Sequence, residues 1–538
     1  MHKKTKLMVK IPVSQPVLIG KEKDYVIDCL KSNWISSIGK YILLFEKKFA
    51  EFIGVKHAIS CSNGTAALHL ALLALGIKKN DEVICPTFTF VATANAIKYV
   101  GAKPVFIDCE KNTWNLDVRL LEKLITPKTK AIIPVHLYGH PCDMSPIMKI
   151  AKKHKIFNIE DSAEAIGSKY KGRMCGSFGD IATFSFYGNK TITTGEGGMV
   201  VTNDDRIAER LRILKGQGMN PQKRYWFSVL GYNYRMTNIQ AAIGLAQLEN
   251  VDKFILKRQT IAKMYDYYLE KVEGIKLPQV IGNVSHSFWM YSILIEKEFG
   301  RSRDEVIEFL QKSGIETRPF FYPMHVMPVY KNAAKIFNLK TSEEISSKGI
   351  NLPTFFDLNE ADIREVCHHL IKLKVYKINP SQENFTIRIV SGGYLKKLKD
   401  FFRLIRSEGS EKFFHPHPFD DETAERIARD SIMYRDLYYL VLSHNENIAG
   451  YFMLRGFDEG YEIPSFGVIV HPEFRRKGLG RATMEITINV CRTLKIKKLM
   501  LKVYDKNIAA KSLYDSFGFK FSSSKKKNEF IGFMNIGS

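Results

Sequence analysis

IATFSFYGNKTITTGEGGMVV, from Ile181 to Val201, sets two apolar, β-branched and aromatic runs on either side of a turn-rich segment, with Lys190 at its mouth. Runs of this kind, bounded by Gly, Asn and Thr, read as strands joined by a structured loop. Upstream, directly after another apolar stretch, stands the acidic cluster Ile159-Glu-Asp-Ser-Ala-Glu164. A lysine in a loop between strands, with a buried carboxylate nearby, is the pair that pyridoxal phosphate chemistry needs. The lysine forms a Schiff base, and the carboxylate keeps the pyridinium nitrogen protonated so that the ring draws electrons. Taken alone, the same pattern also describes a solvated turn.

Around this stretch the chain alternates strand and helix patterns. Ala58–Cys61, Glu82–Cys85, Pro104–Ile107, Ala131–Val135 and Phe157–Ile159 are strand-like, and Ala66–Leu75 and Ala92–Val100 between them are helical. Such alternation implies an α/β fold with a mainly parallel sheet covered on both faces. Tyr232 to Val272 reads as long helices, followed by a smaller α+β region ending near Leu373. The pattern breaks at Val375-Tyr-Lys-Ile-Asn-Pro-Ser-Gln-Glu-Asn384, and a new alternation starts at Phe385. The expected division is therefore 1–374, with a large part over 12–250 and a small part over 251–374, a linker at 375–384, and a separate α/β domain over 385–538.

Composition limits the function classes. The chain has 538 residues, 45% hydrophobic and 25% charged, which suits a globular protein of roughly two to four domains. No apolar run is long enough to span a bilayer, and Met1-His-Lys-Lys-Thr-Lys6 lacks the apolar core of a secretory signal. The eight cysteines are scattered without a CxxC pair, which implies no metal site or disulfide framework and fits a reducing cytoplasm. The formal charge of +24 invites a nucleic-acid reading, but the lysines are dispersed and no recognition motif stands out. Anionic small molecules explain it more simply, and no nucleic-acid or membrane partner is expected. Ser522 to Lys527 reads as a solvated turn, and His415 and His417 as helix entry rather than a metal pair.

Further motifs follow in order. They are Trp34-Ile-Ser-Ser-Ile-Gly-Lys-Tyr41, Ser62-Asn-Gly-Thr-Ala-Ala-Leu-His69, Asp81-Glu-Val-Ile-Cys-Pro-Thr-Phe-Thr-Phe90, Pro134-Val-His-Leu-Tyr-Gly139, Gly188-Asn-Lys190 and Gly231-Tyr-Asn-Tyr-Arg-Met236. From about Ile11 to Lys372 the chain thereby resembles the DegT/DnrJ/EryC1/StrS sugar aminotransferases, a fold-type-I branch of pyridoxal phosphate enzymes. Phe45-Glu46, Arg224-Tyr-Trp226 and Glu316-Thr-Arg-Pro-Phe-Phe-Tyr-Pro-Met-His325 resemble the members that act on GDP-4-keto-6-deoxymannose.

The resemblance implies that Lys190 carries the cofactor and shuttles the proton, and that Asp161 pairs with its ring nitrogen. Gly64, Thr65 and Ala66 would hold the phosphate at a helix start, with Ser185 adding a hydroxyl and Asn233 reaching in from a neighbouring subunit. Phe88 would stack on the ring. Glu164 stands near the cofactor hydroxyl, where many relatives have glutamine. Trp34, Arg318 and His325 are candidates for the sugar or nucleotide pocket. One branch of the family has histidine at the lysine position and removes a hydroxyl instead, so Lys190 implies transamination. Relatives of this fold build their site across a dimer interface, so at least a homodimer is expected.

The second domain has its own signature. Val468-Ile-Val-His-Pro-Glu-Phe-Arg-Arg-Lys-Gly-Leu-Gly-Arg481 is a strand running through a basic Gly turn into a helix. The spacing Arg475-x-x-Gly478-x-Gly480 lets backbone N–H groups close around a pyrophosphate. Val503-Tyr-Asp-Lys-Asn507 then leads through Tyr514 to Gly518-Phe519. From about Phe385 to Phe533 this resembles the GNAT acyl-CoA N-acyltransferases. That implies pantetheine pairing along Val468 to Val470, pyrophosphate held around Arg475, Arg476, Gly478 and Gly480, Asn507 orienting the helix or cofactor, and Tyr514 protonating the departing thiolate. Glu462 is the candidate base.

Together the resemblances imply a two-step enzyme for a surface-polysaccharide sugar. L-glutamate aminates a GDP-linked 4-keto-6-deoxy sugar, 2-oxoglutarate leaves, and acetyl-CoA acylates the new amine. A UDP- or dTDP-linked sugar, or a regulatory protein that binds the cofactor without turnover, are the alternatives.

Overall fold

The computed structural model describes residues 9–331, 338–414, 416–524, 526 and 528–537. A seven-stranded sheet organises the first part, in the order His57–Cys61, Gly198–Thr202, Ile181–Ser185, Phe157–Asp161, Thr129–Ile132, Glu82–Pro86, Lys103–Ile107. From Ile181–Ser185 onward neighbours run parallel, while Gly198–Thr202 is antiparallel to both of its neighbours. The stretch 181–201 is thus a pair of adjacent strands whose connecting loop presents Lys190. These strands are buried nearly throughout, as expected where helices cover both faces. Helix Gly64–Ala74 buries Leu68, Leu70 and Leu72 on one side, and helix Met144–His154 buries Ile147 and Ala151 on the other.

The expected long helices are Asn238–Leu248 and Val251–Leu269, the first started by a Thr237–Gln240 capping box. A smaller antiparallel sheet follows, ordered Ile275–Lys276, Tyr291–Ile295, Gly349–Leu352, Arg318–Pro319, with helices Arg303–Lys312 and Glu360–Leu373 packed near it.

The stretch expected as a linker is more ordered than its polar wording suggests. Tyr376–Ile378 is a strand antiparallel to Phe385–Ile389, so part of 375–384 is the edge of the last sheet. Pairing and burial of Val375 against the small domain override the Asn-Pro-Ser breaker signal, which shows only at Asn379–Gln382. This last sheet has eight strands, in the order Tyr376–Ile378, Phe385–Ile389, Leu437–Leu442, Ile448–Arg455, Ser465–Val470, Lys498–Tyr504, Glu529–Asn535, Lys520–Ser523.

Helix Glu360–Leu373 joins the two parts. His368 Nε2 bonds the Arg435 carbonyl, Lys372 Nζ donates to the Tyr434 carbonyl, and Leu370 and Leu373 belong to an apolar cluster that continues into Ile387 and Phe452. The turn between the last strands contains Ser524, Lys526 and Asn528; Lys525, Lys527 and His415 lie outside the described residues. All eight cysteines are buried and unpaired. No helix among the described residues is long and apolar enough to cross a membrane.

Candidate active sites

The carboxyl ends of the parallel strands carry the groups singled out in the sequence, the usual place for a ligand in an open α/β sheet. Lys190 follows strand Ile181–Ser185, and its side chain turns inward to 12% exposure. Nζ lies 3.5 Å from Glu164 Oε1 and 3.6 Å from the centre of the Trp289 ring. Trp289 is fixed in turn, Nε1–H donating to the Asn189 carbonyl at 2.7 Å. Burial pushes the Lys190 ammonium down, Glu164 and Asp161 oppose that, and the charge of Arg318 adds to it. A buried amine with a weakened hold on its proton is a better nucleophile.

Asp161 ends strand Phe157–Asp161 and is 5% exposed. Thr93 Oγ1 donates to its Oδ2 at 2.8 Å and the Ala163 N–H to its Oδ1 at 3.2 Å. Burial raises its pKa despite these donors and the nearby lysine. Glu164 accepts the Tyr138 N–H at 2.8 Å and is raised by burial too. Glu160, adjacent in sequence, accepts from the Gly176, Phe178 and Gly179 N–H groups and has a structural task instead. Alternation along the strand separates these roles.

Helix Gly64–Ala74 begins just after strand His57–Cys61. A Cβ on Gly64 would sit 2.7 Å from the Ser185 Cβ, so only glycine lets the Ser185 side chain and the helix start lie side by side. Asn63 caps the helix, Oδ1 accepting the Ala66 N–H at 2.8 Å. That N–H, expected for the phosphate, is already engaged; those of Gly64 and Thr65 have no acceptor within the helix. A buried lysine, a buried carboxylate and an anion-holding helix start at one edge of one sheet fit pyridoxal phosphate.

Two expected residues are placed otherwise. Phe88 is 1% exposed, enclosed by Tyr138 and Phe320 with ring centres at 6.4 and 5.8 Å, and has no free face for stacking. Phe90, 54% exposed at the start of helix Val91–Tyr99, has one. His325 is 3% exposed, Nδ1 bonded to Thr87 Oγ1 at 2.7 Å and Nε2 to Glu343 Oε1 at 2.8 Å, so neither ring nitrogen is left for a sugar. It ties the Thr87 loop to helix Lys340–Lys348 instead.

Arg318 stands close enough to Lys190 to act on its charge. Trp34 is exposed, its carbonyl bonded by Asn238 Nδ2 at 2.6 Å. Asn233 is exposed at the end of a segment whose Tyr225, Trp226, Phe227, Val229 and Leu230 are all exposed as well. Trp289 and Thr93 were missed in the sequence because Ser287-Phe-Trp-Met290 and Val91-Ala-Thr93 carry no spacing that points to a ligand.

In the second domain, strands Ser465–Val470 and Lys498–Tyr504 pair only at Ser465↔Met500 and Phe466↔Leu501, then splay apart. The gap opens a cleft of about 930 Å³ lined by Val468, Val470, Arg475, Arg476, Gly478, Gly480, Asn507 and Tyr514 among others. Arg476 (φ 63°) and Gly478 (φ 81°) lie in the left-handed region, which folds the turn over the start of helix Leu479–Thr493. Asn507 Oδ1 caps helix Ile508–Ser516, accepting the Ala510 N–H at 3.2 Å. Tyr514 is 6% exposed beside Phe466, and burial pushes its phenol far up, which keeps it protonated as a proton donor must be. Glu462 is exposed and absent from the cleft lining; the carboxylate among the lining residues is Glu459. His417, buried, bonds Tyr451 through Nε2 at 2.9 Å.

A lysine and two carboxylates at the carboxyl edge of a mainly parallel sheet, beside a smaller antiparallel sheet, define an aminotransferase of fold type I, and the splayed cleft defines an acyl-CoA transferase domain. The chain belongs to the DegT/DnrJ/EryC1/StrS aminotransferase family, matched over residues 16–371, and residues 399–519 match the acetyltransferase (GNAT) family. It is similar to GDP-perosamine synthase of Caulobacter vibrioides, 53% identical over 66% of this chain and 96% of that one. Its likeness to GDP-perosamine synthase of Escherichia coli O157:H7 is also 53%, over 68% and 98%. Among solved structures, Helicobacter pylori PseC, an aminotransferase of pseudoaminic acid biosynthesis, superposes with a TM-score of 0.64 at 32% identity, over 67% of this chain and 98% of its own.

Proposed function

We propose that this chain is a bifunctional nucleotide-sugar enzyme. Its first part transfers the amino group of L-glutamate to C4 of GDP-4-keto-6-deoxy-D-mannose, giving GDP-perosamine and 2-oxoglutarate. Its last part then moves the acetyl group of acetyl-CoA onto the new amine. The observation that carries this reading is the joining, in one chain, of buried Lys190 between Glu164 and Trp289 with a splayed acyl-CoA cleft. The 53% identity to GDP-perosamine synthases supports the GDP-linked sugar.

Pyridoxal phosphate, when bound, supplies an electron-accepting ring that acidifies the carbon bearing nitrogen. Lys190 would anchor it, and its Nζ would move the proton to and from the reacting carbon. Asp161, oriented by Thr93, holds the ring nitrogen in its protonated form. Gly64, Thr65 and Ser185 bind the phosphate, Phe90 offers a ring face, and Glu164 stands beside the Lys190 amine. In the cleft, the free edge of Val468 to Val470 binds the pantetheine arm, and the turn of Arg475, Arg476, Gly478 and Gly480 binds the pyrophosphate. Asn507 fixes the helix that brings the Tyr514 hydroxyl to the leaving thiolate.

The exposed apolar segment from Tyr225 to Leu230 supports a homodimer in which Asn233 reaches the partner's phosphate site. Eight unpaired cysteines suit the cytoplasm, and the product suits assembly of a surface polysaccharide. The test is mass spectrometry of the purified chain with GDP-4-keto-6-deoxymannose, glutamate, pyridoxal phosphate and acetyl-CoA. A GDP-sugar bearing both amine and acetyl supports the full reading. Amine without acetyl would send the second domain to another acceptor. If no sugar product forms while glutamate still bleaches the cofactor band, the sugar or nucleotide is wrong.

A further inference from the structure

The acyl-transfer cleft has two ends, and their chemistry differs. Strand Ser465–Val470 runs between them and, at six residues, spans about 20 Å. The basic Gly turn follows its far end, beyond Val470. At the near end the splay begins after Phe466, Tyr514 packs beside that residue, and Arg455 is the cross-strand partner of Ser465. An arm bound by the turn and laid along the strand therefore delivers its thioester toward Phe466 and Tyr514, at the Arg455 end. A base for the incoming amine has to stand there.

We infer that Glu459 is that base, an assignment that rests on the acetyl-transfer reading above. It is the carboxylate among the described residues lining the cleft, where the other charged lining groups are Arg455, Arg475, Arg476, Arg481 and Lys502. Its surroundings hold it in place. Arg455 Nη2 donates to Glu459 Oε1 at 3.2 Å, and Arg455 is itself fixed by the Pro416 carbonyl at 2.8 Å and Asp436 Oδ2 at 3.3 Å. Asp436 also accepts the Gly456 and Phe457 N–H groups at 2.9 and 3.0 Å. Asp458, the residue before Glu459, accepts the Arg435 and Asp436 N–H groups at 2.8 and 3.0 Å, so its carboxylate is spent on the backbone. The turn thus faces one carboxylate into the cleft, with a side chain 42% exposed and within reach of a substrate entering from solvent.

The acceptor arrives as an ammonium, attracted to Glu459 among cationic neighbours. Glu459 takes one proton, the freed amine attacks the thioester carbon, the C–N bond forms as the C–S bond breaks, and the thiolate takes the Tyr514 proton. The second proton shed by the acylated nitrogen passes to water. Tyr514 is reprotonated from water and Glu459 releases its proton to solvent. The sum is ammonium plus acetyl-CoA to amide, free thiol and one proton.

The test uses the full chain, which makes its own amino sugar from GDP-4-keto-6-deoxymannose and glutamate, and follows thiol release from acetyl-CoA at pH 7. Glu459→Gln is expected to lower kcat/KM for the amino sugar at pH 7 by about 10²-fold or more, chiefly through kcat. Acetyl-CoA affinity, thermal stability and glutamate bleaching of the cofactor should stay at wild-type values, which excludes misfolding. Glu459→Asp should recover part of the rate, and Glu462→Gln should match wild type. An E459Q enzyme within about threefold of wild type would overturn the assignment alone, as would a loss confined to KM with kcat unchanged. No thiol release by wild type with this sugar would overturn the acceptor reading and the assignment together.

Discussion

Both oxygens of the Glu408 carboxylate are held by the guanidinium of Arg475, at 2.8 and 2.6 Å, with Ser410 Oγ a further 3.0 Å neighbour of the same group. Beside this pair, Lys477 Nζ donates to Glu383 at 2.7 Å, and Ser381 Oγ donates to the Lys477 carbonyl at 3.2 Å. Two carboxylates thus offset two of the three cations, Arg475, Arg476 and Lys477, of the turn assigned to the pyrophosphate, and one comes from the segment connecting the two domains.

An anion must displace Glu408 before Arg475 can bind it. The pair is partly exposed, so it contributes only about 0.2–1 kcal/mol. Glu408→Gln should therefore tighten acetyl-CoA binding by up to about fivefold, and Arg475→Ala should weaken it. Isothermal titration at two salt concentrations checks this, and weaker binding by E408Q would show that the pair builds the site rather than competing with it.

Lys190→Ala should abolish glutamate-driven bleaching and reduce sugar amination by at least about 10²–10⁴-fold. Acetylation of amino sugar supplied ready-made should be untouched, because the acyl-CoA cleft shares no lining residue with the Lys190 site. Thr93→Val removes one donor to Asp161 and should give a smaller loss. A stopped-flow record of the cofactor band distinguishes the two. Full bleaching in K190A would remove the lysine from the mechanism.

His417 is buried, and its pKa is pushed from the ordinary 6.5 to about 4, first by burial and then by Arg455 and Arg426. Its folded pKa lies below the unfolded one, so the stability it contributes is complete above pH 6.5 and is lost as pH falls toward 4. That amounts to roughly 3 kcal/mol over the window. His369, also pushed to about 4, adds to the same trend. Melting temperature should fall on acidification from pH 7 to 4.5, and His417→Gln should flatten the fall. Parallel curves for the two proteins would exclude the histidine as a cause.

Leu230 is 83% exposed and Trp226 55%, within the segment that precedes Asn233. Leu230→Asp should shift sedimentation toward monomer and weaken cofactor retention together. A monomeric variant that keeps its cofactor and full amination would separate Asn233 from the phosphate site.

Local wording made much of the first site legible. Lys190, Asp161, Glu164, Gly64 and Ser185 lie on strand ends, in the loops just after them or at a helix start, all visible in short windows, and all are found at one edge of the sheet. The Arg475 to Gly480 turn was legible for the same reason. Phe88 and Phe90 share one short motif, and nothing in it tells which ring is enclosed; Tyr138 and Phe320 decide that from elsewhere in the chain. His325 looked available because its partners, Thr87 and Glu343, come from two other segments.

The two domain classes, the strand–loop–strand that presents Lys190 and the acidic cluster opposite it are all readable along the chain, because each depends on residues near in sequence. Tertiary structure alone decided that Trp289 backs the lysine, that Glu459 rather than Glu462 faces the cleft, and that Glu408 occupies Arg475. Each of these depends on which side chains burial and the splay of two strands bring together. Charge and periodicity along the chain carry no record of that convergence.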